Sequence, residues 1–311
     1  MTTSLPSSYT VLVTGASGAL GKVVCASLLK KQREALALSP DAAWRVVATS
    51  RAPRDNTTLA LDICNAAQVS SVINSVKPHL IVHLAATLSD NFKEAFAVNV
   101  EGARNLCIAI LASGHPTRLL LAGSAAEYGV VQPDENPIGV DHSLKPASLY
   151  GMTKAWQSML GLYYASCGVD VVIARIFNLD GPGVSDKLFV GRIQKQIAAM
   201  QSGEQKRLKV GPLGAIRDYT SLDSAAGQIL AIAERGQSGA VYHVGSGDGI
   251  SMRALLQTYL DLAGLDFSVV DEDGGNSNHT GYDVPAIFAD MTETAALLGA
   301  QVNDSGKKTL C

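Results

Sequence analysis

Short apolar runs alternate along this chain with longer stretches whose apolar residues fall three and four apart. The runs are residues 10–13, 45–49, 59–63, 80–86, 118–122, 169–176 and 240–244. Most are apolar nearly throughout rather than alternating, the pattern of strands covered on both faces in a parallel sheet. Between them, Leu20, Val23, Val24 and Leu28 open a helical stretch, and residues 68–76, 92–112, 150–167 and 224–235 repeat that spacing. This alternation predicts an α/β fold on a doubly wound parallel sheet, with ligands beyond the carboxyl ends of its strands. Two places break the rhythm. The run at 45–49 comes later than a compact strand–helix–strand unit requires, which predicts an insertion over residues 30–43. After residue 176 the pattern loosens through Gly181-Pro182-Gly183, a helix at 189–201 and a loop reaching Arg217, before residues 224–244 return to the regular style. From Ser251 a helix leads into a loop-rich stretch and a polar tail.

Composition narrows the picture. A chain of 311 residues can bury one large α/β core or two unequal ones. With 47% hydrophobic and 17% charged residues and a net charge of −3, it has no basic excess suited to nucleic acid or an anionic membrane. Cys25, Cys64, Cys107, Cys167 and Cys311 are scattered, with no metal-ligand spacing, as expected of reduced thiols in a cytosol. The first eight residues lack the plan of a secretion signal, and no apolar run reaches membrane-spanning length. These features predict a cytoplasmic protein.

The candidate chemistry starts at Gly15-x-x-Gly18-x-x-Gly21, directly after the first run and opening the first helix. Glycines there let the backbone turn tightly beside a pyrophosphate, and the helix start offers unpaired N–H groups. The second strand ends in Ser50-Arg51 with no carboxylate before Asp55. A ribose 2′-hydroxyl calls for an acid at this place and a 2′-phosphate for an arginine, so the end favours NADP(H) over NAD(H). Small residues Ala85 and Ala86 at a strand end leave room for a ligand, whereas His83, inside the same run, reads as a core residue. Ser124 closes another strand, and Tyr150 and Lys154, four apart, share one helix face. A lysine ammonium beside a tyrosine would lower the phenol's pKa and fit it for proton transfer, with the serine holding the same oxygen.

Taken together, these segments resemble the extended short-chain dehydrogenase/reductase superfamily of sugar-nucleotide epimerases, dehydratases and reductases. The carriers are the glycine loop, Asp62-Ile63, His83-Leu84-Ala85-Ala86, Asn99, Ser124 before Tyr128-Gly129, Tyr150-x-x-x-Lys154 and Arg175-x-Phe177-Asn178. Within that group Gly123-Ser124-Ala125-Ala126-Glu127-Tyr128-Gly129, Arg217-Asp218-Tyr219-Thr220 and Asp283-Val284-Pro285 look closest to reductases of GDP-4-keto-6-deoxy-mannose. The resemblance implies a Rossmann-type sheet of seven strands, residues 1–178 plus 218–249, and a smaller interleaved C-terminal substrate-binding lobe, residues 179–217 plus 250–311. It implies that Ser124, Tyr150 and Lys154 are catalytic, with Asn99 supporting Lys154 through a proton relay. It places the cofactor on Gly15, Ser17, Gly18, Ala19, Leu20, Gly21, Ser50, Arg51, Asp62, Ile63, Leu84, Ala85, Ala86, Asn99, Tyr150, Lys154 and Phe177. It places the substrate on Thr87, Ser124, Asn178 and Arg217, and joins two chains through the helices near 92–112 and 150–167 as a homodimer.

The chain departs from related reductases in carrying Thr280 where they have an arginine, and in a tail after Asp290 without their Gly-Trp-x-Pro and terminal helix. Lys187, Arg192 and Lys195 are candidate replacements for the missing cation. The acid that a dehydratase places one or two positions after its active-site serine is absent, since Ala125 and Ala126 stand there and Glu127 follows. The expected activity is therefore NADPH-dependent reduction of a nucleotide-linked 4-keto-6-deoxy-hexose. A sugar-nucleotide 4-epimerase, a ketoreductase of a smaller carbonyl compound and a redox-sensing NADP-binding module are the alternatives.

Overall fold

The computed structural model describes residues 8–39, 43–53, 55–272 and 284–299. The strands are β1 (Ser8–Thr14), β2 (Ala43–Ser50), β3 (Leu59–Ala60), β4 (Leu80–His83), β5 (Arg118–Ser124), β6 (Asp170–Ile176), β7 (Asn178–Asp180), β8 (Leu208–Lys209), β9 (Ile216–Ser221), β10 (Val241–Val244), β11 (Gly249–Ser251), β12 (Val270–Asp271) and β13 (Ala286–Ile287). The helices are α1 (Ala19–Leu38), α2 (Ala66–Val76), α3 (Phe92–Phe96), α4 (Gly102–Ser113), α5 (Leu149–Ser166), α6 (Phe189–Gln201), α7 (Leu222–Arg235), α8 (Met252–Ala263) and α9 (Thr292–Leu298).

Seven strands form the central sheet in the order β3-β2-β1-β4-β5-β6-β10, and every neighbouring pair is parallel. Alternation along each strand divides its side chains between two cores. Val11, Val13, Leu80, Val82, Leu120, Val172 and Ala174 face the layer of α1 and α7. Leu12, Ile81, Leu119, Leu121, Val171 and Ile173 face that of α2 and α4. Both faces are covered, which is why the strands read as continuous apolar runs.

The expected insertion at 30–43 is a correction: α1 runs on to Leu38, and the delay before β2 is extra helix. Its outer turns need no loop, because Gln32 holds Trp44 O at 2.8 Å and Ala35 packs on Trp44. The helical run expected over 92–112 is interrupted by a π turn, Ala97–Glu101, which carries Asn99. Phe92–Ser113 is 22 residues long, and an 18-residue stretch of it reaches a mean hydropathy of 1.3, enough by length and composition alone for a membrane span, but 61% of that stretch is buried inside the protein. Its segments pack on α2 and α5.

A second sheet joins β11, β9 and β13, with β7 alongside β9, and β8 pairs β12. A separate core of Ile193, Ile197, Leu208, Leu213, Leu256 and Leu260 lies beneath α6 and α8. A further correction concerns the terminal helix, since α9 forms and returns to pack on α7 and β10. Thr280 and Asp283 lie outside the described residues.

Candidate active site

The strand order reverses between β1 and β4, so their carboxyl ends part and leave a crevice. Gly15, at the exit of β1, has φ 70°. A Cβ there would meet Ala85 N at 2.6 Å and Leu84 C at 2.7 Å, and one at Gly21 would meet Gly15 O at 2.2 Å. The turn is thus pressed onto the backbone leaving β4, and only glycine fits. Ser17 and Gly18 are exposed. Asn65, Ser148, Ser221 and Ser251 cap α2, α5, α7 and α8 with their side chains, whereas α1 starts at Gly18 without a side-chain cap or an acid in its first turn. Gly18 N–H closes the turn on Gly15 O at 3.1 Å; the N–H groups of Ser17, Ala19 and Leu20 stay open, and this cradle fits the pyrophosphate of a dinucleotide.

On the neighbouring rim, β2 ends at Ser50 and Arg51 is exposed. Arg51 stands close enough to Cys64 to oppose the rise that burial imposes on that thiol. Asp62 accepts from Cys64 N at 3.0 Å, so Arg51 and Asp62 flank one turn. Ile63 is buried in the core below Gly102, which leaves its backbone as the part that can face an adenine. Phe177 is buried too, its ring against His243 at 5.2 Å.

Ser124, Tyr150 and Lys154 come together across β5 and α5. Ser124 Oγ accepts from Ala126 N at 3.2 Å, and its hydroxyl stands close enough to the Tyr150 phenol to pull that group's pKa down. Burial pushes that phenol up to about 12, against the pull of Ser124 and with help from the Glu127 carboxylate. Lys154 is not among the groups that shift it. Lys154, 2% exposed, turns its ammonium to Ala122 O and to Gln157 Oε1, the latter at 2.7 Å. Burial draws its pKa down to about 8, Glu127 opposing. Asn99 makes no direct bond to Lys154: its side chain takes the backbone N–H and C=O of Thr87, at 2.9 and 3.1 Å, and donates to Thr153 Oγ1 at 2.9 Å. Asn99 thereby fixes the loop after Leu84, Ala85 and Ala86. His83 is buried and neutral, its pKa drawn down to about 3 by burial and by Lys154, and it meets Thr14 Oγ1 at 2.7 Å.

Glu127 is wholly buried. Its Oε1 accepts from Ser124 N at 2.8 Å, and its Oε2 accepts from Arg175 Nε at 2.8 Å. Arg175 also donates to the Tyr128 hydroxyl and to Val140 O. The carboxylate thus secures the turn behind Ser124 and does not stand in the cleft. Of the substrate candidates, Asn178 and Arg217 are brought together: β7 pairs β9 at Asn178↔Tyr219, and Asn178 Nδ2 donates to Asp218 O at 2.9 Å. Lys187 reaches across to Leu88 O at 3.2 Å, Lys195 pairs with Asp186, and Arg192 and Arg217 both act on the Tyr219 phenol. Sequence reasoning missed Gln157. A signal was present, since an amide three residues past Lys154 lies on the Tyr–Lys face.

A profile of the NAD dependent epimerase/dehydratase family matches residues 11–245. The GDP-6-deoxy-D-mannose reductase of Pseudomonas aeruginosa is 30% identical over 202 residues, covering 63% of this chain and 66% of that protein, just under two thirds. The dTDP-6-deoxy-L-talose 4-dehydrogenase (NAD(P)(+)) of Kitasatospora kifunensis is 24% identical over 84% of this chain and 81% of its own length. RMD from Pseudomonas aeruginosa, solved in complex with NADPH, shares the fold with a TM-score of 0.78 at 24% identity, over 96% of this chain and 93% of that one.

Proposed function

Because this chain belongs to the NAD dependent epimerase/dehydratase family, we propose that it is a reductase of a nucleotide-linked 4-keto-6-deoxy-hexose that uses NADPH. The observation that carries the reading is the burial of Glu127 against Arg175. With Ala125 and Ala126 ahead of it, the turn after Ser124 offers the cleft no acid for removing a C5 proton and expelling a C6 hydroxyl. Ser124 and Tyr150 suffice for a carbonyl.

NADPH held in the glycine cradle would supply the hydride. Tyr150, kept protonated by its buried setting, gives its proton to the C4 oxygen as that carbon becomes an alcohol carbon. Ser124 holds the same oxygen, and Lys154 holds the cofactor ribose. Asn178 and Arg217, from β7 and β9, grip the nucleotide, a guanidinium suiting a diphosphate. Residues 1–178 plus 218–249 carry the cofactor in this reading, and residues 179–217 plus 250–311 the sugar. Ser50 and Arg51 support NADP(H) over NAD(H), and so argue against an epimerase that regenerates a tightly held NAD. Two chains pair through α4 and α5, where Ile108, Leu111, Met159, Leu162 and Tyr163 are exposed.

The test is NADPH consumption with GDP-, dTDP- and UDP-linked 4-keto-6-deoxy sugars beside plain ketones and aldehydes. Turnover of a nucleotide sugar supports the proposal. Turnover of plain carbonyls alone, with no protection by any nucleotide diphosphate, overturns the substrate and leaves a ketoreductase.

A further inference from the structure

Lys154 is a cation taken almost wholly out of water, and the manner in which it is held is a separate feature of this protein. Its Nζ donates to Ala122 O on β5 and to Gln157 Oε1, one turn further along α5. Gln157 is fully buried, and its Nε2 donates to the same Ala122 O at 3.1 Å. The three groups close a ring: one strand carbonyl accepts from both side chains, and the amide oxygen accepts from the ammonium. The amide can face only this way, since the opposite orientation would turn its N–H groups onto the ammonium. Two of the three ammonium donors are thereby committed, and one is left for the cleft.

We propose that Gln157 is a positioning residue that fixes both the place and the charge of Lys154. The inference rests on the reading of Lys154 as the group that holds the cofactor ribose. An isolated ammonium in this setting would shed its proton or swing away; a neutral acceptor keeps it in place without the stronger hold of a carboxylate. The other ionisable groups that act on Lys154 are the Glu127 carboxylate, from the turn after β5, and the neutral His83 imidazole, from β4. Tyr150 shares its helix, one turn back. Gln157 is thus the adjustable partner: removing its oxygen lets the charge slip, and replacing the amide with a carboxylate pins it.

The experiment is fluorescence titration of NADPH into the full-length protein between pH 6.5 and 10, an affinity readout that needs no substrate. In the unsubstituted protein, binding weakens through about pH 8 as Lys154 discharges. Gln157→Met, of similar volume but with no acceptor oxygen, is expected to weaken binding at neutral pH about tenfold. It should also move that midpoint down by about one pH unit. Gln157→Glu is expected to restore neutral-pH binding and move the midpoint up, and misfolding cannot produce opposite displacements from two variants. Lys154→Met is the reference, in which the limb should vanish. If the limb vanishes there but both Gln157 variants keep the original midpoint, Gln157 is ordinary packing and the inference fails. If Lys154→Met keeps the limb, the reading of Lys154 fails and the inference goes with it.

Discussion

Replacing Arg175 with methionine tests the claim that a buried ion pair organises the turn carrying Ser124. Glu127 is 0% and Arg175 4% exposed, and they meet at 2.8 Å. Methionine approximates the length of the arginine stem and removes the guanidinium. The Glu127 carboxylate is then left in the core with the Ser124 N–H as its remaining protein donor, and Tyr128 OH and Val140 O each lose a partner. Breaking one side of a buried pair costs about 3–5 kcal/mol. At about 2–3 °C per kcal/mol for a long chain, the melting midpoint should fall by about 6–15 °C. Glu127→Gln should cost a comparable amount, because it strands the arginine. The double variant Glu127→Gln/Arg175→Met should be markedly more stable than the sum of the two losses, since no charge then remains buried. The assay is urea unfolding of all four proteins, followed by circular dichroism and intrinsic fluorescence. A loss below about 1 kcal/mol for Arg175→Met, or strict additivity in the double variant, would refute the pairing argument.

Tyr150→Phe should lower turnover by ~10²-fold or more while NADPH still binds, and steady-state and titration measurements separate the two; an unchanged rate removes tyrosine as the acid. Lys154 supplies a pH test of stability. Its folded-state pKa of about 8 lies below the free value of 10.5, so between those pH values the unfolded chain binds more protons and stability rises with pH, by about 3 kcal/mol at most. Lys154→Met should flatten that rise in unfolding experiments run from pH 7.5 to 10.5, and an unaltered slope would count against a charge buried at neutral pH. Arg51→Ala should weaken NADPH by about tenfold and leave NADH nearly unchanged; equal effects on both would remove the 2′-phosphate assignment. Light scattering at micromolar concentration should report a dimer that Met159→Arg dissociates, whereas a monomer before substitution would reject the pairing of α4 and α5.

Much of this protein was legible in its residues because the relevant physics is local. A parallel strand buried on both faces must be apolar throughout, so the runs at β1, β4, β5 and β6 declared both the strands and the fold class. Glycine spacing after β1 announced a tight turn, and four-residue spacing placed Tyr150 and Lys154 on one face of α5. Tertiary structure decided what those side chains do to one another. Whether Lys154 addresses Tyr150 or the Ala122 carbonyl depends on which strand lies beneath α5, and no spacing within the helix records that. Glu127 looked like an acid one position out of place; its partner, Arg175, lies 48 residues away on the adjacent strand and turns it into the core. Asn99 holds the Thr87 loop because a π turn rotates it there. Sequence patterns capture the periodicity of a single element and the residue types that suit its solvent. The protonation and aim of a buried polar group follow from the few donors and acceptors that other elements bring within 3 Å or so, since in a low-dielectric interior each such contact outweighs any local preference.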